Sequence, residues 1–91
     1  MRIEWTPKAI RDLQRVQEFY ARVDESIAER TVEFLLSAPD LLPDTPRIGE
    51  RLEEYDPREV RRLIVGGYEM RYEIKGETIS IVRLWHTRED R

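Results

Sequence analysis

The spacing of apolar and polar positions changes partway along the chain. Up to Ala38, apolar residues recur every three or four positions, which is the period of an amphipathic helix. From Arg58 onward, apolar and polar residues alternate, which is the period of a half-buried strand. A short apolar segment, Arg2–Trp5, precedes the first helical stretch and indicates another strand. The pattern therefore predicts the order strand, helix, helix, strand, strand, strand.

The first helix has a clear start. Thr6 is a good N-cap, and Pro7 stands at the first helical position, where its missing N–H costs nothing. The predicted inward stripe consists of Ile10, Leu13, Val16 and Tyr20, with Phe19 and Val23 beside it. The predicted solvent side consists of Arg11, Asp12, Gln14, Arg15 and Glu18.

A second helix follows after a short break, so the two helices should form an antiparallel hairpin. Asp24 caps its start with Glu25 in the first turn, and Pro39 ends it. Its predicted apolar face consists of Ala28, Val32, Leu35 and Leu36, flanked by Ile27. The segment Asp40–Pro57 is rich in proline and charge and predicts a long loop.

Three strands are predicted in the second half of the chain, over Arg58–Val65, Tyr68–Lys75 and Thr78–Trp85. Glycines separate them at the positions where tight turns need positive φ. On the middle strand, one face carries Tyr68, Met70, Tyr72 and Ile74, and the other carries Glu69, Arg71, Glu73 and Lys75. This alternation predicts an antiparallel sheet with one face packed on the helices and one face open. The first strand is expected at a sheet edge.

Composition narrows the class of protein. A chain of 91 residues, 40% hydrophobic and 38% charged, has the size of one domain, expected to span residues 1–91. Cysteine is absent and there is one histidine, so neither a disulfide framework nor a zinc site is expected, and no cofactor. No apolar run approaches the ~20 residues of a membrane span, and the N-terminus lacks an apolar signal region. We therefore expect a cytoplasmic protein with no membrane partner.

The charge balance argues against a surface built for phosphate. The formal net charge is -3, with 16 basic and 19 acidic residues. From Arg47 to the end, ten basic residues face ten acidic ones, so the arginine-rich half is neutral. Proteins that depend on phosphate contacts usually carry a clear basic excess. Bulk electrostatics therefore give no support to nucleic-acid binding.

Several segments together follow a more specific pattern. They are Ile3–Ala9, Asp12-Leu13, Pro46–Gly49, Arg58–Leu63, Gly67–Ile74 and Ile79–Arg88. In this order and spacing they resemble the RelE/ParE family of toxins, whose second half reads R-E-L, G-x-Y-R-I-x-Y-x-I and I-x-I-L-x-x-x-H-x-R. The resemblance covers almost the whole chain.

The resemblance implies an α+β domain in which an antiparallel two-helix hairpin packs on a small twisted antiparallel sheet. It also implies the toxin component of a bacterial type II toxin–antitoxin system, neutralised by a cognate antitoxin in a hetero-oligomer. ParE-like members inhibit DNA gyrase, whereas RelE-like members cleave messenger RNA, usually at the ribosome.

The choice of target depends on whether a catalytic site is present. Metal-free RNA cleavage needs a base, a proton donor and cations on the phosphate. The resemblance offers His86 as the acid or base and Arg71 as the cation for these roles. Where RelE-like toxins have a recurring arginine, however, this chain has Glu69, whose carboxylate repels phosphate. A ParE-like inhibitor of gyrase is therefore favoured over a ribosome-dependent endoribonuclease, and a non-toxic binding module stays possible.

The open sheet face is the surface that we expect the antitoxin to cover. The candidate partner-binding residues are Arg61, Arg62, Arg71, Arg83, Trp85 and Arg88. A shift of one residue in strand phase would change which of them line up. The simplest alternative is that Arg61, Arg62 and Arg71 form cross-strand charge pairs with Glu69 and Glu73, and that Trp85 packs in the core or at the sheet edge.

Overall fold

The computed structural model describes residues 1–89 and contains the expected elements together with one further short strand. The strands are β1 (Arg2–Trp5), β2 (Glu50–Arg51), β3 (Glu59–Val65), β4 (Tyr68–Lys75) and β5 (Thr78–His86). The helices are α1 (Pro7–Ala21) and α2 (Glu25–Ser37), and short 3-10 turns occupy Ala38–Leu41 and Glu53–Tyr55. The predicted α+β fold class is confirmed.

Both helices begin at the predicted caps. The Thr6 hydroxyl oxygen accepts a hydrogen bond from the Ala9 N–H at 3.2 Å. The Asp24 carboxylate accepts one from the Ser26 N–H at 2.8 Å. Thr6 also donates its hydroxyl proton to the carbonyl of Ile81, at 2.9 Å. Because Thr6 bonds to β5, the start of α1 is fixed to the sheet as well as capped.

The sheet has the strand order β1-β5-β4-β3-β2, so β1 lies at an edge as predicted. Neighbouring strands are antiparallel, with the exception of β1 and β5, which run parallel. This parallel pair differs from the antiparallel sheet that the alternation suggests. Parallel neighbours need a long crossover connection, and here the helical hairpin and the β2–β4 strands supply it.

The helices cover one face of the sheet, which we call the helix-side face; the opposite face is the far face. The alternation predicted for β4 is confirmed, because its aromatic and aliphatic residues are buried on the helix side. One cluster of the core surrounds Tyr72 with Ala9 and Ile81, and a second joins Leu13 to Leu84. Burial of these side chains provides the main driving force for folding.

The expectation that Asp12 faces solvent is wrong: the residue is 3% exposed. β1 pairs with β5 only as far as Ile81, so the edge of β5 has no strand partner beyond that point. Asp12 takes the place of the missing strand, because its carboxylate accepts a hydrogen bond from the Leu84 N–H at 2.9 Å. Arg15 donates to the Leu84 carbonyl at 3.3 Å. The buried stripe of α1 is therefore rotated toward Asp12.

Some residues of the predicted apolar stripes are exposed in the structure. Ile10 is 37% exposed, Phe19 62% and Val23 78%, and on α2 Leu36 is 44% exposed. Apolar periodicity identified the helices but not the angle at which each one meets the sheet. Of these exposed residues, Ile10 and Leu36 lie toward the open end of the hairpin, and Phe19 and Val23 lie at or near the turn that joins the helices.

The segment between α2 and β3 is more ordered than the predicted loop. Besides β2 and the two 3-10 turns, it buries Leu42 and Leu52. Its Gly49 N–H donates to the Tyr72 hydroxyl at 3.0 Å, and that hydroxyl donates to the Pro46 carbonyl at 2.7 Å. A Cβ at Gly49 would lie 2.5 Å from the Arg62 carbonyl oxygen, so only glycine fits this close approach.

Candidate functional site

Two surfaces collect side chains able to bind a partner, and the first is the far face of the sheet. Strand pairing puts Arg71 of β4 between Arg62 of β3 and Arg83 of β5. One pair further along this face, Glu69 lies opposite Trp85. The far face therefore carries a row of three arginines next to an acidic and an aromatic residue.

Arg71 is held in place by a carboxylate and two aromatic residues. Its Nε donates to Glu69 at 2.8 Å, and its Nη1 donates to the Tyr55 hydroxyl at 2.8 Å. Its guanidinium carbon lies 4.7 Å from the centroid of the Trp85 ring, within the range of a cation–π contact. Glu69 is 5% exposed, so its charge is directed inward at Arg71 rather than toward solvent.

Arg83 connects the far face to α1. Its guanidinium carbon lies 5.3 Å from the Trp85 ring centroid, and its Nε donates to Asp12 at 2.8 Å. Arg15 binds the same carboxylate at 2.7 Å. Burial by itself raises the pKa of Asp12, but the hydrogen bonds from Arg83, Arg15 and the Leu84 N–H outweigh it and hold this pKa below its ordinary value.

The remaining arginines around β3 are also paired with carboxylates. Arg62 pairs with Glu50, Arg58 with Glu73, and both Arg47 and Arg61 with Glu59, at distances from 2.7 to 3.0 Å. The arginine hydrogen bonds hold the pKa of Glu59 and that of Glu73 below the ordinary glutamate value. The far face and its borders therefore form a compensated network of ion pairs.

His86 and Arg71, the two residues that RNA cleavage would need together, lie on opposite faces of the sheet. Tyr72 pairs with Ile81 while Arg71 pairs with Arg83, so a β-bulge leaves Val82 outside the register. The bulge reverses the phase of β5 and places Trp85 on the far face. His86 consequently lies beside Tyr68 on the helix side, with ring centroids 5.1 Å apart.

The six candidate partner-binding residues do not share one surface. Arg62, Arg71, Arg83 and Trp85 lie on the far face, where Trp85 is 4% exposed. Arg61 lies in register with the buried Tyr72 and donates to the Gly49 carbonyl at 2.7 Å. Arg88 follows β5 in an exposed turn, next to the helices.

The second surface is an apolar groove between the helical hairpin and the ends of β4 and β5, which we call the hairpin groove. Its first lobe has a volume of about 380 Å³ and is lined by residues that include Val16, Phe19, His86 and Arg88. Its second lobe has a volume of about 300 Å³ and is lined by residues that include Ile27, Arg30, Phe34 and Gly66. Tyr20 and Tyr68 belong to both lobes and form the floor between them.

The floor of the groove carries a pair of tyrosine hydroxyls. The Tyr68 hydroxyl donates to that of Tyr20 at 3.4 Å. Burial, and then the hydrogen bond to Tyr20, raise the pKa of Tyr68 above its ordinary value, so the phenol stays neutral at physiological pH. His86 closes the first lobe, and its Nδ1 accepts a hydrogen bond from the Arg88 N–H at 3.1 Å.

Sequence reasoning missed Tyr55 and Asp12 as parts of these surfaces. Tyr55 belongs to the predicted loop, yet its ring lies 5.8 Å from the Arg71 guanidinium carbon. Asp12 has a usable signal, since it stands three positions before Arg15 on a helix, a spacing typical of ion pairs. Nothing in the periodicity indicates that this pair faces the sheet.

Neither a metal-binding cluster nor a membrane-spanning helix is found in the part of the chain that the structure describes. Across residues 1–89 no group of three or more acidic or histidine side chains is arranged to hold a metal ion. Neither helix within those residues has the length and apolar character needed to cross a lipid bilayer.

A strand, a helical hairpin and a sheet with this topology form a fold that the chain shares with the two solved toxin–antitoxin structures described below. The family model described as the ParE toxin of type II toxin–antitoxin system, parDE, matches residues 3–91, and the chain belongs to this family. No curated protein matches the sequence.

Two solved structures have a similar fold. A chain of the chromosomal ParDE toxin–antitoxin system from P. aeruginosa is 24% identical with a TM-score of 0.78, over 94% of this chain and 95% of that one. A chain of the RelBE2 toxin–antitoxin complex from Mycobacterium tuberculosis is 26% identical with a TM-score of 0.60, over 93% of this chain and 95% of that one. The fold is thus shared by structures named for both branches of the superfamily.

Proposed function

We propose that this toxin inhibits DNA gyrase through protein contacts and is neutralised by a cognate antitoxin. The observation that carries the proposal is the compensated far face. Arg62, Arg71 and Arg83 each bind a carboxylate of the same chain. A surface of this kind suits a protein partner with matching polar groups better than a phosphate backbone.

The competing ribonuclease function has weaker support. Its general acid or base, His86, lies on the helix side, while its candidate cation, Arg71, lies on the far face. Proton transfer requires a catalytic group within hydrogen-bond reach of the reacting atoms, and a sheet separates these two side chains. Glu69 also binds Arg71 at 2.8 Å and compensates the charge that would otherwise bind a phosphate.

The gyrase target is tested by a supercoiling assay with purified gyrase and the purified toxin. We expect loss of supercoiling or accumulation of cleaved complexes as the toxin is titrated in, and the same result with His86→Ala. A parallel primer-extension assay on translated messages should show no new 5′ ends. Undisturbed supercoiling combined with new 5′ ends that vanish in His86→Ala would assign the ribonuclease function instead.

The antitoxin partner is tested by expression with and without the small open reading frame beside this gene. We expect growth arrest when the toxin is expressed alone, and recovery with a stable complex when both proteins are present. Normal growth on expression of the toxin alone would indicate a binding module without toxicity. Separate elution of the two proteins on gel filtration would remove the adjacent product as the antitoxin.

A further inference from the structure

The outer side of β1 is an open strand edge. β1 pairs with β5 on one side, and within residues 1–89 no strand lies along its other side. The N–H groups of Arg2 and Thr6 donate to carbonyl groups of β5 and of the turn before it, at 2.8 and 3.1 Å. Because backbone groups alternate in direction along a strand, the N–H and C=O groups of Ile3 and Trp5 face outward. They form a short template on which another strand can pair.

The two edges of the sheet differ in the protection that they carry. β2, at the other edge, has two residues and therefore offers few backbone groups for pairing. β1 has four residues, pairs with β5 in an unbroken register and contains no proline. Its two charged residues have opposite signs, so they do not repel every approaching strand. β1 is therefore the edge at which strand addition is possible.

The side chains of β1 form a pattern that is complementary to itself. Arg2 and Glu4 lie on the far face, in register with Thr78 and Ser80 of β5. Their side chains are 71% and 50% exposed, and they form an ion pair with each other at 3.0 Å. Ile3 lies between them on the helix-side face, where it is partly buried against the core. The strand thus presents a cation, an apolar residue and an anion in turn.

One register of an antiparallel β1 pair matches these charges. If the pair is centred on Ile3, Arg2 of each copy lies opposite Glu4 of the other, and such opposed charges stabilise a sheet. The two Ile3 residues also exchange both of their outward-facing backbone hydrogen bonds. A pair centred on Arg2 or on Glu4 has two like charges directly opposite each other, which is destabilising. Charge therefore selects the register as well as the partner.

We propose that two copies of this chain associate through β1, antiparallel and centred on Ile3, to form a twofold homodimer. The two five-stranded sheets then form one continuous sheet. Directly opposed residues of an antiparallel pair share a face, so both far faces lie on one side and both helical hairpins on the other. The contact is short, so the dimer is weak and forms at high protein concentration. Its formation requires neither gyrase nor the antitoxin.

The test measures self-association of the purified chain by sedimentation equilibrium, from the low micromolar to the millimolar range. We expect a monomer–dimer equilibrium for the unmodified chain. Arg2→Glu and Glu4→Arg should each weaken dimerisation by about tenfold or more, because twofold symmetry places every new like-charge contact in the interface twice. Melting temperatures should stay equal, since both side chains are exposed.

A mixture of the two variants tests the register directly. The β1 strand of Arg2→Glu carries two acidic side chains, and that of Glu4→Arg carries two arginines. An equimolar mixture should therefore recover a dimer, and the double variant R2E/E4R should dimerise as the unmodified chain does. The matched controls, Arg51→Glu and Glu54→Arg, make the same charge changes at the exposed opposite edge of the sheet. Neither control should alter dimerisation.

Each outcome decides the proposal. Dimerisation lost in the two single variants and recovered in their mixture supports it. An unmodified chain that stays monomeric overturns it, and the charges of β1 then serve only to protect the edge. A dimer that the single variants do not weaken, or that the mixture does not restore, forms elsewhere and also overturns it. If the single variants instead weaken only binding to the product of the adjacent open reading frame, the edge seats a strand of that partner and the proposal fails. The proposed function stands in every case, because the supercoiling and growth assays test it separately.

Discussion

The far face and the hairpin groove both combine arginines with aromatic rings, but they differ in how charge is compensated. On the far face, Glu69 and Asp12 bind Arg71 and Arg83, and both guanidinium groups lie over Trp85. In the groove, neither Arg30 nor Arg88 forms an ion pair with a carboxylate of residues 1–89, although Glu89, which binds Arg15, lines the first lobe and Asp24 interacts with Arg30 at longer range. The number of arginines therefore says little about anion binding, because what matters is which of them remain available to a partner.

The largest loss of stability is expected from Asp12→Ala, because the Asp12 carboxylate binds residues of both surfaces. Its carboxylate binds Arg83 of the far face, Arg15 beside the groove, and the backbone of Leu84. Removing it leaves a buried N–H unpaired and Arg83 without a carboxylate, while Arg15 keeps its pair with Glu89, which should lower the free energy of unfolding by about 3 kcal/mol. Urea denaturation measures the change, with the exposed Asp44→Ala as control. A loss as small as that of the control would mean that α1 is not anchored through this carboxylate.

The second prediction concerns Glu69, which belongs to the far face and not to the hairpin groove. Glu69→Gln should lower the free energy of unfolding by about 1–2 kcal/mol, because a nearly buried charge that binds Arg71 is lost. It should also release positive charge on the far face. Binding to a single-stranded oligouridylate should then strengthen and become more salt-dependent.

The exposed Glu77→Gln makes the same change in net charge away from the far face and is the control for this experiment. It should leave oligouridylate binding unchanged. Equal gains in the two variants would show that overall charge, rather than compensation by Glu69, keeps RNA off this face.

Acid should weaken the ion pairs of Asp12, Glu59 and Glu73. In the folded chain the pKa values of Asp12, Glu59 and Glu73 lie below their ordinary values. Their ion pairs therefore stabilise the fold above the unfolded carboxyl values of about 4, and this stability is lost as the pH falls through the lowered pKa values. Urea unfolding at several pH values should show this decline in the unmodified chain and a shallower one in Asp12→Asn. Identical slopes would exclude Asp12 as a contributor.

The fold was predictable because its signals are local. Thr6 and Asp24 cap the helices, and the alternation from Tyr68 to Ile74 defines the face of β4 that packs on them. The burial of Asp12 was not predictable, because it depends on where β1 ends along β5. That is a contact between residues far apart in the sequence, and periodicity carries no information on it.

The sequence does not show which residues share each surface, because the β-bulge changes the face on which the last residues of β5 lie. Unbroken alternation from Ile81 would have placed His86 on the far face with Arg71, and Trp85 among the core residues. One additional residue, Val82, reverses that arrangement. A bulge leaves no reliable mark in the sequence, so the separation of His86 from Arg71 required the structure.

The smallest change in stability is expected from a substitution in the hairpin groove itself. Tyr20→Phe removes one hydroxyl of a pair whose oxygens lie 3.4 Å apart, a long contact at a partly solvated site. Stability should therefore change by no more than about 0.5 kcal/mol, less than for Glu69→Gln. The free energy of unfolding could instead drop as much as in Glu69→Gln. The groove side chains would then depend on contacts within the chain as much as those of the far face do, and the two surfaces would not differ in this respect.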